Sequence, residues 1–109
     1  MAHADRRAIE RGQTGLELMR RAAAAVARAA ADLSPEGAIA ILAGSGNNGG
    51  DAFAAAAILK EQRRDVAVYA LSPRSHLSGY ARVMADEWTG PVGSLEAFAP
   101  DGLSLVIDG

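Results

Sequence analysis

The chain has 109 residues, eleven basic against thirteen acidic side chains, a formal net charge of −2 and no cysteine. The lack of cysteine excludes disulfides, thiolate nucleophiles and zinc–thiolate centres. The scattered basic residues offer no stripe for a nucleic-acid backbone, and no apolar run reaches membrane-spanning length, so neither nucleic acid nor membrane is expected as a partner.

The opening Met1-Ala2-His3-Ala4-Asp5-Arg6 lacks the basic head and apolar core of a secretion signal, so a soluble cytoplasmic protein is expected. Residues 5–10 read as a short helix, Arg11-Gly12-Gln13 as a turn, and Thr14 as the cap of a second helix, with Glu17 completing a capping box. Leu16, Met19, Ala23, Val26 and Ala30 then recur at helical spacing and predict one buried face. Leu33-Ser34-Pro35-Glu36-Gly37 ends that helix.

Residues 38–43 are apolar throughout, as suits a strand covered on both faces. Gly44-Ser45-Gly46-Asn47-Asn48-Gly49-Gly50-Asp51 follows as a loop, and residues 52–61 read as an alanine-rich helix. A polar connection at 62–65 leads to a second strand at 66–71. After a loop at 72–75, the spacing of Leu77, Tyr80, Val83, Met84 and Trp88 predicts a helix over 76–88. Residues 89–93 break the pattern, 94–98 suggest a helical turn, and 103–108 form a third strand. Alternating helices and strands predict an α/β fold with a parallel sheet and right-handed crossovers. Residues 1–33 supply N-terminal helices and 38–109 a βαβαβ core, read as part of one domain that continues past its third strand.

Between a strand and a helix, the glycine loop lies where parallel sheets bind ligands. Helix-start amides lack internal partners and can donate to a phosphate, aided by the helix dipole. The loop satisfies a bare G-x-G-x-x-G, but no lysine follows it and no carboxylate stands at the tip of the second strand. Neither a P-loop nor an ordinary NAD fingerprint is therefore complete. Asn side chains add amide donors and carbonyl acceptors. Asp51 has three readings: a helix cap, a ribose or amide contact, or a proton-transfer group. Asp108 is either a hard-cation ligand or a solvated strand terminus, and it is the second carboxylate available for catalysis. Arg74 reads equally as a phosphate contact and as a solvated loop residue. His76, Ser72 and Ser75 read as loop or cap residues.

Gly46-Asn47-Asn48-Gly49-Gly50-Asp51 resembles the G-N-N-G-G-D core of the NAD(P)H-hydrate epimerases, the YjeF N-terminal domain. Asp5-Arg6-Arg7-Ala8-Ile9-Glu10, Gly15-Leu16-Glu17-Leu18-Met19 and Leu105-Val106-Ile107-Asp108 resemble further stretches of that family, in its order. The resemblance implies a Rossmann-like three-layer α/β/α fold, of which this chain resembles the amino-terminal half. It implies epimerisation of hydrated NADH or NADPH (NADHX, NADPHX) in cofactor repair, with bound potassium. Asn47, Asn48, Gly49, Gly50 and Asp51 would contact the hydrated dinucleotide, and Asn48 and Asp108 would ligate potassium. A homodimer and a fused or separate ADP- or ATP-dependent dehydratase are the implied partners. Ala52 replaces the glycine that usually closes the motif. The 109 residues alone are expected to be inactive, and a non-catalytic binding or scaffold domain of the same fold is the alternative.

Overall fold

The structure, a computed structural model, describes residues 2–44 and 46–109, with side chains for 15–44 and 49–109. Helix α1 runs Ala2–Leu33, strand β1 Ala38–Ala43, helix α2 Gly46–Glu61 and strand β2 Asp65–Ala70. A 3₁₀ turn at Arg74–His76 precedes helix α3 (Gly79–Ala85), and strand β3 (Val92–Ser94) is followed by a 3₁₀ turn at Leu95–Ala97 and strand β4 (Leu103–Asp108). The sheet is all parallel, in the order β3-β2-β1-β4, which makes the architecture Rossmann-like α/β.

Alternation along the strands separates the two faces of the sheet. Ile39, Ile41 and Ala43 of β1 and Val68 and Ala70 of β2 join one core with Phe53, Ala56 and Leu59 of α2 and Ala27 and Ala30 of α1. Phe53, Ile39, Ile41, Leu59 and Met84 are the largest fully buried side chains. Each contributes about 1.5–3 kcal/mol by leaving water. Alanine on the facing helix surfaces lets α1 and α2 lie close to one another and to the sheet. The opposite face carries Tyr69, in register with Leu42, and the return from β3 to β4 crosses it. There the Phe98 ring meets Tyr69 edge-on at 5.3 Å. Below the sheet, buried Ser34 ties α1 to β4: its hydroxyl lies 2.5 Å from that of Ser104, which donates to the Ala38 carbonyl at 3.0 Å.

The predicted elements differ from the structure in several places. Helix α1 continues through Arg11-Gly12-Gln13, where a turn was expected. A single helix glycine costs about 1 kcal/mol, and the good helix formers on both sides absorb it. With the helix unbroken, Thr14 is interior rather than a cap, and its side chain lies outside those described. The predicted helix over 76–88 shrinks to α3, because Ser78 is extended (φ −140°, ψ 169°) and Gly79 adopts φ 59°. Hydrogen bonds from Glu87 to Met84 and from Trp88 to Ala85 continue the winding, so Trp88 is still buried. Tyr80 is exposed and lies beside Gly15 of α1 rather than on the sheet.

The sheet has four strands rather than three. Strand β3 is only three residues long, contains Gly93 and carries no apolar alternation, so nothing in its pattern announces it. Gly93 is there because the Tyr69 ring covers it; a Cβ would lie 2.9 Å from that ring. Among the described residues no helix is long and apolar enough to cross a membrane.

Candidate functional site

The strand order puts a topological switch point between β1 and β4: from β1 the chain moves to β2 on one side, while β4 joins on the other. Parallel α/β sheets bind ligands in the crevice at that point, beyond the carboxyl ends of the strands. Backbone bonds flank the exit of β1 on both sides. Gly44 N–H donates to the Gly109 carbonyl at 2.7 Å, Gly109 N–H to Leu42 at 3.0 Å, and Leu71 N–H to Ala43 at 3.1 Å. Asp108 is in register with Leu42, so the end of β4 lies beside the glycine loop.

Asp51 and Asp108 line one cavity of about 480 Å³, together with Val26, Ala52, Ile107 and Gly109. The two candidate carboxylates are 57 positions apart by number, and the β1–β4 pairing brings them to one crevice. Asp108 is exposed. Asp51 Oδ1 is buried and has no hydrogen-bond partner among the described residues. Burial pushes the Asp51 carboxyl above its ordinary value, because desolvation disfavours the charged form.

Helix α2 starts at Gly46, not near residue 52, so most of the expected loop is the first turn and a half of a helix. That removes the cap reading of Asp51: no acidic residue lies in the first turn. The amides without helical partners belong to that first turn, ahead of Gly50 and Asp51. Gly49 and Gly50 are both buried, and both are pressed against the protein itself. A Cβ on Gly49 would run into the Gly44 carbonyl oxygen; on Gly50 it would lie 2.7 Å from Ala81 Cα. Their lack of side chains is therefore required by packing before any ligand arrives. Ala52, which departs from the family motif, is buried in the core with its methyl accommodated. The side chains of Asn47 and Asn48 lie outside the described residues.

Arg74 is occupied. Its Nη1 donates to the carbonyls of Ala85 (3.2 Å) and Trp88, and its guanidinium lies 5.5 Å from the Phe53 ring centroid. It closes the end of α3 rather than standing free in a loop. His76 is exposed on the 3₁₀ turn.

A family model described as "YjeF-related protein N-terminus" matches residues 15–109. The chain belongs to that family. A protein of Rhodobacter capsulatus is 40% identical over 121 residues, covering 99% of this chain and 57% of its own length. One from Bordetella pertussis (strain CS) is 41% identical over 107 residues, covering 94% of this chain and 47% of its own. One from Clavibacter michiganensis subsp. michiganensis is 48% identical over 71 residues, covering 65% of this chain and 31% of its own. All three are named NAD(P)H-hydrate epimerase. The chain thus spans about half the length of the curated relatives it matches. No solved structure matches it significantly.

In this YjeF-family chain, sequence reasoning missed the residues that shape the crevice without carrying charge. Val26 reaches it from α1 and Ile107 from β4. Both read as ordinary core positions, and only the crossing of α1 with the sheet gives them a second role. Arg82 and Ser94, which line a second cleft near the tip of β2, were also missed. Their helical and turn contexts carry no ligand signature.

Proposed function

We propose that this chain supplies the glycine-turn side of a site that interconverts the R and S epimers of hydrated NADH or NADPH. The observation that carries the reading is the pair Asp51 and Asp108 lining one crevice at the switch point, with a buried Asp51 oxygen unpartnered among the described residues. The names of the relatives support it. The amides of the first turn of α2 receive a phosphate oxygen, and Asn47, Asn48 and Asp51 hold the hydrated dinucleotide.

Epimerisation at the hydrated carbon proceeds by reversible loss and return of the added water. The carbon–oxygen bond breaks with the electron pair leaving on oxygen, and the ring nitrogen lone pair stabilises the cation left behind. Asp51, held toward its protonated form by burial, donates the proton that lets the hydroxyl depart as water. Water re-adds to the opposite face of the same carbon and returns a proton to Asp51. Atoms and charge balance over the cycle.

Asp108 and the Asn48 side-chain carbonyl offer hard oxygen donors, which suit potassium better than a softer metal. The ion would supply positive charge that steadies the dinucleotide. The reading brings with it a dehydratase that consumes the S epimer, and a homodimer as the assembly.

The test is epimerisation of R-NADPHX by the full-length protein with and without potassium. Turnover that rises with potassium supports the proposal. A non-catalytic module of the same fold is the second reading, favoured by the packing demand that already explains Gly49 and Gly50. Dinucleotide binding without epimerisation under either condition would establish that second reading instead.

A further inference from the structure

A second cleft, of about 570 Å³, opens past the carboxyl ends of β2 and β3. It shares no lining residue with the cavity between Asp51 and Asp108, yet it lies at the same edge of the parallel sheet. Its polar lining is Ser72, Arg74, Ser75, Arg82 and Ser94, and no carboxylate lines it. The N–H of Leu71, one of its lining residues, donates to the Ala43 carbonyl at the exit of β1, so the cleft adjoins the start of the glycine turn.

Position gives this lining a meaning. Where a glycine turn after the first strand holds a dinucleotide, the tip of the neighbouring strand meets the adenosine ribose. A carboxylate there accepts from a free 2′-hydroxyl and repels a 2′-phosphate; a guanidinium does the reverse. This chain has hydroxyls and guanidinium groups at that place. Arg74 spends Nη1 on two backbone carbonyls. Among the described residues Arg82 bonds through Nε alone, to Asp86 Oδ1 at 2.9 Å, and its side chain is 43% exposed. An exposed pair of that kind is held weakly. It orients the Arg82 guanidinium, and a phosphate dianion outcompetes a single carboxylate for the free edge.

We propose that this cleft receives the 2′-phosphate of the hydrated dinucleotide, with Arg82 as its reader and Ser72 and Ser94 as supporting donors. The chain therefore favours the phosphorylated substrate, NADPHX, over NADHX. The proposal rests on the dinucleotide reading of the crevice.

Adenosine 2′,5′-bisphosphate and adenosine 5′-monophosphate serve as probes, titrated calorimetrically into the full-length protein. Wild type is expected to bind the bisphosphate about tenfold or more tightly than the monophosphate, the scale of one charge-assisted contact. Arg82→Gln removes that preference and leaves monophosphate affinity unchanged. Ser72→Asp, in a surface loop with little effect on folding, reverses the preference by restoring a carboxylate at the strand tip. Equal affinities in wild type, or a preference that survives both substitutions, overturns the proposal.

Kinetics with the two hydrates separate it from the reading it rests on. Bisphosphate preference without epimerisation of either hydrate leaves this subsite standing and removes the activity. Epimerisation of both with the same KM, unchanged by Arg82→Gln, leaves the activity standing and removes the subsite.

Discussion

Gly50 and Ala81 meet where α2 crosses α3, so closely that a Cβ on Gly50 would lie 2.7 Å from the Ala81 Cα and 2.8 Å from its carbonyl oxygen. Both atoms are backbone, so neither can swing aside. The helix that presents the glycine turn to the crevice is thereby set against the helix that follows the tip of β2.

Gly50→Ala is expected to destabilise the protein by about 1–3 kcal/mol, the usual cost of overpacking. Urea unfolding measures it. Ala81→Gly in the same chain leaves the backbone contacts in place, so it should recover only a small part of the loss. Full recovery would mean that the methyl of Ala81, not its backbone, sets the separation of the helices.

Asp51 governs a pH dependence. Its carboxyl is raised above its unfolded value by burial. The folded state therefore holds its proton where the unfolded state has released it, and stability falls as pH rises through the interval between the two values. Above the folded value the penalty is constant. Asp51→Asn should be more stable than wild type at neutral pH, with the difference vanishing below the unfolded value. Thermal unfolding of both proteins across pH 3–8 checks the sign. Under the function proposed above, the same substitution should also abolish epimerisation by the full-length protein, so stability and activity would move in opposite directions.

Asp108 is exposed at the end of an edge strand, with Ser104 and Val106 also exposed on its face. Asp108→Asn should change stability by less than about 0.5 kcal/mol, as exposed substitutions do. Under the function proposed above, its effect should appear as lost potassium dependence of epimerisation by the full-length protein. Potassium dependence that persists unchanged in a folded Asp108→Asn protein would remove Asp108 from the proposed ion site.

Arg74→Ala strips two carbonyls of their charged donor and uncovers the Phe53 ring. A loss of about 1.5–3 kcal/mol follows from the value of hydrogen bonds to charged groups. Arg74→Lys should recover little, because a single ammonium cannot reproduce a planar group that both caps the helix and stacks on Phe53. The urea midpoints of the two variants decide this.

Much of the fold was legible because it is written in local signals. The unbroken apolar run at 38–43 and the alanine-rich pattern after it specify a buried strand and its following helix wherever they occur. Helix limits were less legible. The start of α2 at Gly46 runs against the low helix propensity of its glycines, and tertiary contacts of Gly49 and Gly50 override that propensity. Strand β3 was invisible because three residues containing a glycine have no periodicity to read.

The sequence by itself determined the family motif, the absence of thiol chemistry, and two notable carboxylates, one closing the glycine-rich stretch and one closing an apolar strand. Those follow from residue type and spacing along the chain. Only the tertiary structure decided that Asp51 and Asp108 share a crevice, since that depends on β4 pairing with β1 rather than with β3. It also assigned Arg74 to the end of α3 and left Arg82 facing the cleft at the tip of β2. Strand order and helix crossing are non-local, set by which apolar faces can be buried together, and no window of sequence contains them.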